Sequence, residues 1–469
     1  MSDRWLQRFV SLGIIGFSFG SGVAYINRFA PLQPSQASIP SVAPVQPQPS
    51  IAPQSAPAEA VPSPVVANPS QALNPQPPQP APKAQTPAPK VTPTTAASPQ
   101  PAPKAQTPAP KVTPTPAASP QPAPKATPTP AATPTTPSKP LPPFITIKAV
   151  GDVIPGTNYP DYRLPADVNQ LLPTEVRGYL QRADLVFGNF ESSLTNHPNS
   201  SKAVGGGKVF AFRSPPEYAQ LFADVGFNVF NVANNHAMDF GPVGFQDTQD
   251  SLAAVGIETV GNKNQILYQD IQGVKVATIG FSPYAFYNAI QDLETTKSLV
   301  SEAKNNAQLV IVSMHSGAEG TGALNVRNET EFFFGENRGN SIAFARTAID
   351  AGADLVLGHG PHVPRAIELY NGKIIAYSLG NFLGYRTLST AAQTGYSMIL
   401  EVKLTPDGKF SGGRVIPVHM DEQGIPHIDQ YFRTVGLLRY LNASDFPESK
   451  LTIDRSGKLI VGNEASAPQ

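Results

Sequence analysis

The chain has 469 residues, of which 52 are proline, 14% are charged and none is cysteine. Disulfides and thiolate metal sites are therefore excluded, and a bound metal would be held by His, Asp, Glu or Asn. Nine of the 34 basic and two of the 34 acidic residues precede Pro143, so the remainder carries 25 basic and 32 acidic residues, a net charge of about −7. We expect no nucleic-acid partner for such an acidic region.

The N-terminal segment, residues 1–28, contains an uncharged and mostly apolar run from Phe9 to Ile26, preceded by Arg4 and Arg8. Its length suits a single transmembrane helix, and the basic flank predicts a cytoplasmic N-terminus with the rest of the chain exported. The alternatives are a signal peptide, cleaved at a small-x-small site, and a buried helix. We expect a membrane-anchored protein with an extracytoplasmic domain, in the periplasm or at the cell surface, or a secreted protein if the segment is cleaved.

Residues 29–142 form a low-complexity segment of Pro, Ala, Gln, Thr and Lys, in which QPAPKAQTPAPKVTPT occurs near residues 79 and 100. With so few large apolar residues it cannot bury enough surface to offset its chain entropy, so we predict a disordered linker. In a polyproline II conformation its upper reach is roughly 350 Å. Such a tether would carry a domain well away from a membrane.

Residues 143–469 have the composition of a folded domain. The apolar runs ITIKAV, ADLVF, VFNVA, VKVATIGF, LVIVSM, DLVLG and KIIAYSL predict strands. Between them, PPEYAQLFADVG, FQDTQDSLAAVG, LETTKSLVSEAKNN and SIAFARTAIDAGA predict helices. We expect an α/β fold with sheets buried on both faces. Two hairpins, turning at Asp407-Gly408 and Ser456-Gly457, are predicted to extend the sheet.

Each candidate site motif follows an apolar run, where a strand is predicted to end. Asp152 follows ITIKAV, and Asn189 and Glu191 follow ADLVF. The later motifs, ANNHAMD, MHSG and GHGPH, contribute Asn234, Asn235, His236, His315, His359 and His362. Because loops converge at the carboxyl ends of the strands in an α/β sheet, we expect one site. Imidazoles and carboxylates from several strand ends are what a two-metal hydrolytic centre needs.

Taken singly, the motifs differ in specificity. Gly-Asp after a strand also occurs in ordinary turns, Asn-x-Glu also caps helices, and His315 could be a hydrogen-bonded core histidine. Adjacent amides beside an imidazole are more specific, because they are costly to bury without partners. GHGPH is the most specific motif, since Gly358 and Gly360 let backbone approach closely and the two imidazoles can face neighbouring metals.

The order of the motifs, GD, N-x-E, ANNHxxDxG, H-x-G-x-E, GHxPHV and YSLGNF, resembles the CapA family. These are capsule and poly-γ-glutamate synthesis proteins, also known as PgsA and related to the calcineurin-like metallophosphoesterases. The resemblance covers Ile145 to Phe382, a motif core within the CapA-like domain of residues 143–469. It implies a four-layer αββα metallophosphoesterase-like sandwich holding two divalent metal ions, which would be Mn, Fe, Zn or Mg.

The resemblance also implies roles for the motif residues. One ion would be held by Asp152 and His362, and the other by Asn235, His315 and His359. Glu191 would bridge the two ions. The proton donor to the leaving group would be His236, oriented by Asp239. The residues expected to contact substrate or to support these ligands are Asn189, Asn234, Glu319, Arg365 and Asn381.

Some positions depart from the family pattern. Asp152 is followed by Val153 and Ile154, where the superfamily has Asp-x-His, so the first metal lacks one imidazole. HSGAE replaces H-W-G-x-E, and we expect the loss of the ring at Ser316 to alter a substrate wall. Arg365 would bind an anionic substrate or form a surface salt bridge. We expect Ser378, Gly380 and Asn381 of YSLGNF to stabilise loops beside the site, and the alternative is that they ligate metal.

Three functions follow from these observations. The first is a membrane-tethered CapA-like protein that acts in the synthesis, export or processing of an anionic extracellular polymer. The second is an extracytoplasmic, metal-dependent phosphoesterase unrelated to capsule. The third is a non-catalytic scaffold that handles polymer for the subunits of a membrane synthase. The expected partners are the membrane, through the N-terminal helix, an anionic polymer or phosphate ester as substrate, and the subunits of a membrane synthase.

Overall fold

The computed structural model describes residues 140–204 and 209–462, so the predictions of an N-terminal anchor and of a linker up to residue 139 lie outside the described residues. Within those two ranges, none of the helices has the length and hydrophobicity needed to span a bilayer. The α-helices are α1 Thr174–Leu180, α2 Ala219–Val225, α3 Gly241–Ala254, α4 Leu293–Asn306, α5 Ser341–Asp350 and α6 Arg433–Asp445.

The first ten strands are β1 Ile145–Ile154, β2 Leu185–Phe190, β3 Ser193–Leu194, β4 Arg213–Ser214, β5 Val229–Asn231, β6 Glu258–Val260, β7 Leu267–Ile271, β8 Val274–Phe281, β9 Leu309–His315 and β10 Glu331–Phe333. The last ten are β11 Glu336–Gly339, β12 Leu355–His359, β13 Ile367–Tyr370, β14 Lys373–Ala376, β15 Asn381–Gly384, β16 Tyr396–Leu404, β17 Phe410–Met420, β18 Pro426–Ile428, β19 Leu451–Ile453 and β20 Leu459–Val461.

The strands form two large mixed sheets. The first has the order β18-β17-β16-β1-β2-β5-β6, with β15 pairing beside the end of β1. Strands β1, β2, β5 and β6 run parallel, whereas β16 pairs antiparallel with β1. The second sheet has the order β13-β14-β12-β9-β8-β7, with β8, β9, β12 and β14 parallel. Parallel strands of both sheets therefore bring several carboxyl ends together.

Three apolar cores hold these layers. One joins the first sheet to α1, α2 and α3 and includes Phe190 and Phe222. A second lies between the sheets and includes Phe187 and Ile311. The third joins the second sheet to α4 and α5 and includes Phe344. Successive strand residues point to opposite faces of a sheet, and each large sheet has an apolar core on both faces. Strands β1, β2, β9 and β12 are therefore buried throughout, as their apolar sequences predict.

Helix boundaries follow local chemistry. The side chain of Asp292 accepts a hydrogen bond from the Thr295 N–H at the start of α4, and Asn340 accepts one from Ala343 at the start of α5. At the end of α2, Gly226 has φ 103°, a left-handed conformation that costs glycine little.

The hairpin predictions have different outcomes. Strands β16 and β17 extend the first sheet, as expected. The expectation that the second hairpin extends a sheet is wrong, because β19 and β20 pair only with each other and meet β17 at a single bridge, Arg414 with Lys458. Leu451 and Leu459 instead pack into the core between the sheets beside Leu438 of α6, where they bury apolar surface.

Candidate metal site

The site forms at the carboxyl ends of strands from both sheets. The sequence predicted that Asp152 follows the end of β1, but the residue lies within this strand. After Val150, β1 no longer pairs with β16 and pairs instead with β15, which places Asp152 opposite Asn381. From the second sheet, His315 and His359 are the last residues of β9 and β12 and lie side by side in register. Strand ends from both sheets thus present candidate ligands to the same site.

A carboxylate and imidazole cluster is the centre of this site. Asp152, Glu191 and His315 are wholly buried and offer ligand atoms that all lie within 4.8 Å of one another. Glu191 Oε1 is 4.0 Å from His315 Nε2 and 3.8 Å from His362 Nε2. His359 Nδ1 is 3.7 Å from Asp152 Oδ1. One carboxylate oxygen of Glu191 therefore lies within 4.0 Å of two imidazoles.

Unpaired atoms in this cluster fit a bound cation. Five buried atoms make no hydrogen bond within the described part of the chain: Glu191 Oε1, Asn235 Oδ1, His315 Nε2, His359 Nδ1 and His359 Nε2. Buried polar groups are costly without a partner. All five are nitrogen or oxygen atoms of the type that hard and borderline divalent ions bind. The residues present therefore fit a metal.

Electrostatics in the cluster are consistent with this donor set. Burial favours a raised pKa for Asp152, but the adjacent His362 imidazole and the more distant His359 and His315 lower it to about 2. Burial and the Asp152 charge raise the pKa of Glu191 well above its usual range. Burial lowers the pKa of His315 strongly and that of His359 to about 4, so both rings are neutral and keep a lone pair for a metal.

The pKa of His362 is raised, in contrast to the lowered pKa values of His315 and His359. Burial favours a lowered pKa, but the charges of Glu191 and Asp152 raise it to about 10. Its Nδ1 is 2.8 Å from Asn381 Oδ1 and 3.1 Å from Asp152 Oδ2. Asn381 also donates to the Thr394 carbonyl, so it both orients the imidazole and connects it to the loop that carries Thr394. The carboxylates hold a positive charge at a position where a divalent cation would supply one.

Asn189 connects the first-sheet residues of the site. Its Nδ2 donates to Asp152 Oδ1 at 2.8 Å, and its Oδ1 accepts from Asn231 at 2.9 Å and from Asn234 at 3.2 Å. Asn234 also accepts a hydrogen bond from the His236 N–H. Asn231 was not predicted as a site residue, although an asparagine at the end of an apolar strand was a signal for one.

His236 and Asp239 form a pair on the loop that also carries Asn235. His236 Nδ1 is 2.8 Å from Asp239 Oδ2, and burial lowers the pKa of His236 despite that carboxylate. Lys202, which the sequence reasoning missed, lies 2.5 Å from Asp239 Oδ1 and donates to the Asn235 carbonyl at 2.9 Å. Because Lys202 lies 34 residues before His236 in the sequence, no local pattern could indicate that the two residues are neighbours. With Nδ1 fixed, the imidazole is oriented.

Glu319 approaches the cluster from a different loop. Its Oε2 is 3.9 Å from His362 Nε2, and its Oε1 is 2.9 Å from the guanidinium of Arg338. Arg338 is 4% exposed and also lies 3.1 Å from Glu336, a pairing that the sequence reasoning did not anticipate. Glu319 therefore links the cluster to the β10–β11 hairpin.

Two expectations need correction. Arg365 is wholly buried rather than in a surface salt bridge, and it pairs in bidentate geometry with Glu331 at 2.8 and 2.7 Å while donating to the Ala323 carbonyl. Because the guanidinium N–H groups of Arg365 already bind these protein oxygens, they do not reach a substrate. Ser316 is also wholly buried, and its hydroxyl lies 2.8 Å from that of Ser341, so it supports α5 and forms no substrate wall.

Fold and site together define an α/β protein with a candidate metal site. Residues 146–386 match the model of the family described as "Bacterial capsule synthesis protein PGA_cap". Because this match covers just over half of the chain, the chain belongs to that family, and the predicted family resemblance is confirmed.

Two relatives carry related names. The chain is 35% identical to the PGA biosynthesis protein CapA of Bacillus subtilis (strain 168) over 267 residues, which are 53% of this chain and 64% of that protein. It is 32% identical to the capsule biosynthesis protein CapA of Bacillus anthracis over 261 residues, 51% of this chain and 59% of that protein. The chain spans less than two thirds of the length of these curated relatives.

Among solved structures, the chain is similar to the NAD nucleotidase of Haemophilus influenzae, with 13% identity and a TM-score of 0.34 over 64% of this chain and 56% of that one. The 5'-nucleotidase precursor of Thermus thermophilus has 12% identity and a TM-score of 0.36 over 64% of this chain and 59% of that one.

Proposed function

We propose that the chain is a membrane-tethered CapA-like protein whose exported domain carries a dinuclear metal site. It would act in the synthesis, export or processing of an anionic extracellular polymer of the capsule or poly-γ-glutamate type. Family membership and the names of the two Bacillus relatives support the polymer role. The observation that carries the metal site is the buried cluster of Asp152, Glu191 and His315 with its unpaired donor atoms.

The proposal assigns two ions to this cluster within a four-layer αββα metallophosphoesterase-like sandwich. The three separate apolar cores favour that layering. Asp152 and His362 would hold one ion and Asn235, His315 and His359 the other. The position of Glu191 Oε1 within 4.0 Å of two imidazoles suits a bridging carboxylate. Ile154, buried on the strand two residues after Asp152, supplies no ligand, so the first ion would have fewer protein donors.

The chain's own residues would divide the chemical work. Divalent ions in such a site polarise an ester oxygen and lower the pKa of water. Asp239 holds Nδ1 of His236, so the protonated imidazole would give its Nε2 proton to the leaving group, and the neutral ring left behind would keep its Nδ1–H on Asp239. The oriented His236 beside the cluster specifically favours a hydrolytic reaction. For that reason the second candidate is a metal-dependent phosphoesterase that acts on an extracytoplasmic ester unrelated to capsule.

Metal content tests the proposal directly. The full chain, purified without chelator and supplied with Mn²⁺, Zn²⁺ or Mg²⁺, should retain about two ions by elemental analysis. His359→Ala should retain fewer, because both ring nitrogens of His359 are buried without a hydrogen bond among the described residues and Nδ1 lies 3.7 Å from Asp152 Oδ1. The matched control is His427→Ala on β18, a strand with no residue in the cluster, and it should bind as many ions as the wild type. A metal-free wild type contradicts both enzyme functions.

His236→Ala tests the proton-donor role separately. With metal content unchanged, the rate of hydrolysis of phenyl phosphate, a poor leaving-group ester, should fall about a hundredfold, the usual contribution of a positioned acid, whereas p-nitrophenyl phosphate, whose leaving group needs little protonation, should be affected less. An unchanged rate removes His236 from the mechanism. Full metal occupancy, no hydrolysis of either ester or of polyglutamate, and co-purified membrane subunits would together point to the scaffold function instead.

A further inference from the structure

A cleft of about 780 Å³ opens beside the candidate metal site. Asn235 and His236 line it, so the proposed metal ligand and the proposed proton donor both face this space. Glu319 lines it as well and lies 3.9 Å from His362, which connects the cleft to the cluster. A molecule that reacts at the cluster would extend into this cleft.

The outer part of the cleft is aromatic. Phe210 precedes β4, Phe286 lies between β8 and α4, and Phe333 and Phe334 belong to the β10–β11 hairpin, and all four line the cleft. Phe210 is 50% exposed, Phe286 51% and Phe334 81%. Rings exposed to this extent and converging from three separate segments bury little surface for the fold. Such clusters mark binding sites for ligands with an apolar face.

The hairpin holds one of these rings at a conformational cost. Phe334 has φ 47° and Gly335 has φ 83°, the two left-handed positions of a tight hairpin turn. Asn or Gly would fit the first position with less strain than Phe. The hydroxyl of Tyr284, in the segment that carries Phe286, donates to Glu336 at 2.9 Å and so connects the two aromatic segments. A hydrogen bond within the cleft wall therefore joins the two segments that carry Phe286 and Phe334.

The charges that line the cleft are balanced. Lys202 is paired with Asp239 at 2.5 Å, and Arg338 is paired with Glu319 at 2.9 Å and with Glu336 at 3.1 Å. Each lysine or arginine among the described lining residues thus already has a carboxylate partner. Away from the ions proposed at the cluster, a ligand with a carboxylate on every unit would meet no excess of positive charge from the side chains that line this cleft. Carboxylates such as those of Glu319 and Glu336 are suited to accept hydrogen bonds from the hydroxyl groups of a ligand.

We propose that this cleft binds a sugar ring, and that the group which reacts at the metal site is attached to that ring. A pyranose has a flat face of C–H groups that packs on aromatic rings, and a rim of hydroxyls that donate to carboxylates. The inference rests on the proposed function, which it narrows to an anionic polymer or ester with sugar units.

Binding of small phosphates to the Mn²⁺-loaded full chain tests this inference. The probes for calorimetry are glucosyl phosphate, glycerol phosphate, adenosine monophosphate and a γ-linked glutamate tetramer. Glucosyl phosphate should bind about tenfold more tightly than glycerol phosphate, because only the former has a ring to stack. Phe286→Ala and Phe334→Ala should each remove most of that preference and leave the affinity for glycerol phosphate unchanged. The matched control is Phe332→Ala, since Phe332 is 62% exposed on the same hairpin but does not line the cleft.

The other outcomes overturn the sugar inference in distinguishable ways. Equal affinity for glucosyl and glycerol phosphates, or an unchanged preference in both variants, contradicts it and leaves the metal-centred function intact. Tighter binding of adenosine monophosphate than of glucosyl phosphate assigns the aromatic cleft to a nucleobase. Tighter binding of the glutamate tetramer assigns it to an acidic peptide. A chain that binds no metal and none of the phosphates contradicts the proposed function together with the inference.

Discussion

Asn189 shows how one neutral side chain can organise a charged cluster. Its amide donates to Asp152 and accepts from two other asparagines, and its Nδ2 is 3.5 Å from both Glu191 Oε2 and His315 Nδ1. A carboxylate of the same shape could accept hydrogen bonds but could not donate one to Asp152. The position therefore needs an amide, because two carboxylates already share this buried space.

Asn189→Asp should destabilise the metal-free protein. The new carboxylate would face the Asp152 charge without a hydrogen bond between them, so we expect the free energy of unfolding to fall by about 3 kcal/mol. Urea unfolding in the presence of EDTA measures this, and added Mn²⁺ should restore more stability to the variant than to the wild type.

The matched control for this variant is Asn328→Asp, since exposed Asn328 only accepts a hydrogen bond from Asn340 and an aspartate can still do so. Its unfolding free energy should change by less than about 0.5 kcal/mol. Equal urea midpoints for wild type and Asn189→Asp would mean that the hydrogen bond from Asn189 to Asp152 does not stabilise the metal-free protein.

At the scale of elements, the site depends on how closely the two sheets approach. Gly280 of β8 in the second sheet faces Asn231 of β5 in the first, and a Cβ at Gly280 would lie 2.4 Å from Asn231 Oδ1. It would also lie 3.2 Å from backbone atoms of Val260 and Gly261. The absence of a side chain at this one strand position lets Asn231 reach Asn189.

Gly280→Ala should therefore lower the free energy of unfolding by about 2 kcal/mol, because a methyl group overpacks a site closed by backbone. It should also weaken Mn²⁺ binding, since Asn231 supports Asn189. Urea unfolding and calorimetry with Mn²⁺ measure the two effects.

Gly178→Ala in α1 is the control for that change, because a Cβ there meets no atom within 4 Å and alanine favours a helix. It should raise the unfolding free energy by up to about 1 kcal/mol. A Gly280→Ala variant with wild-type stability would show that the sheets have room to separate.

At the scale of the whole molecule, the three cores described above are built from side chains between Ile145 and Leu459, and residues 29–139 have few large apolar side chains to add to them. We therefore expect a chain that starts at residue 140 to unfold at the same urea concentration, and with the same denaturant dependence, as the full chain. A lower midpoint would mean that earlier residues contribute to the fold.

The same truncation tests the proposed membrane anchor. In cell fractions the full chain should sediment with membranes, whereas the chain from residue 140, exported by a cleavable signal peptide, should be released. Sedimentation of both with membranes contradicts an anchor in residues 1–28, and release of both indicates cleavage.

The amino-acid sequence by itself determined the local elements and the composition of the site. Apolar runs such as ITIKAV and LVIVSM form buried strands because periodicity is a local property of the chain. The motif residues could be identified because metal-binding side chain types directly follow those runs. Family membership followed from the order of the same motifs.

Only the tertiary structure decided which distant residues share each space. It placed Asp152 inside β1 opposite Asn381, paired Lys202 with Asp239, and enclosed Arg365 with Glu331. It also brought three aromatic segments to one cleft and kept the last hairpin out of the sheet. The physical reason is that strand pairing and burial depend on contacts between residues far apart in sequence, whereas helix and strand patterns depend on near neighbours.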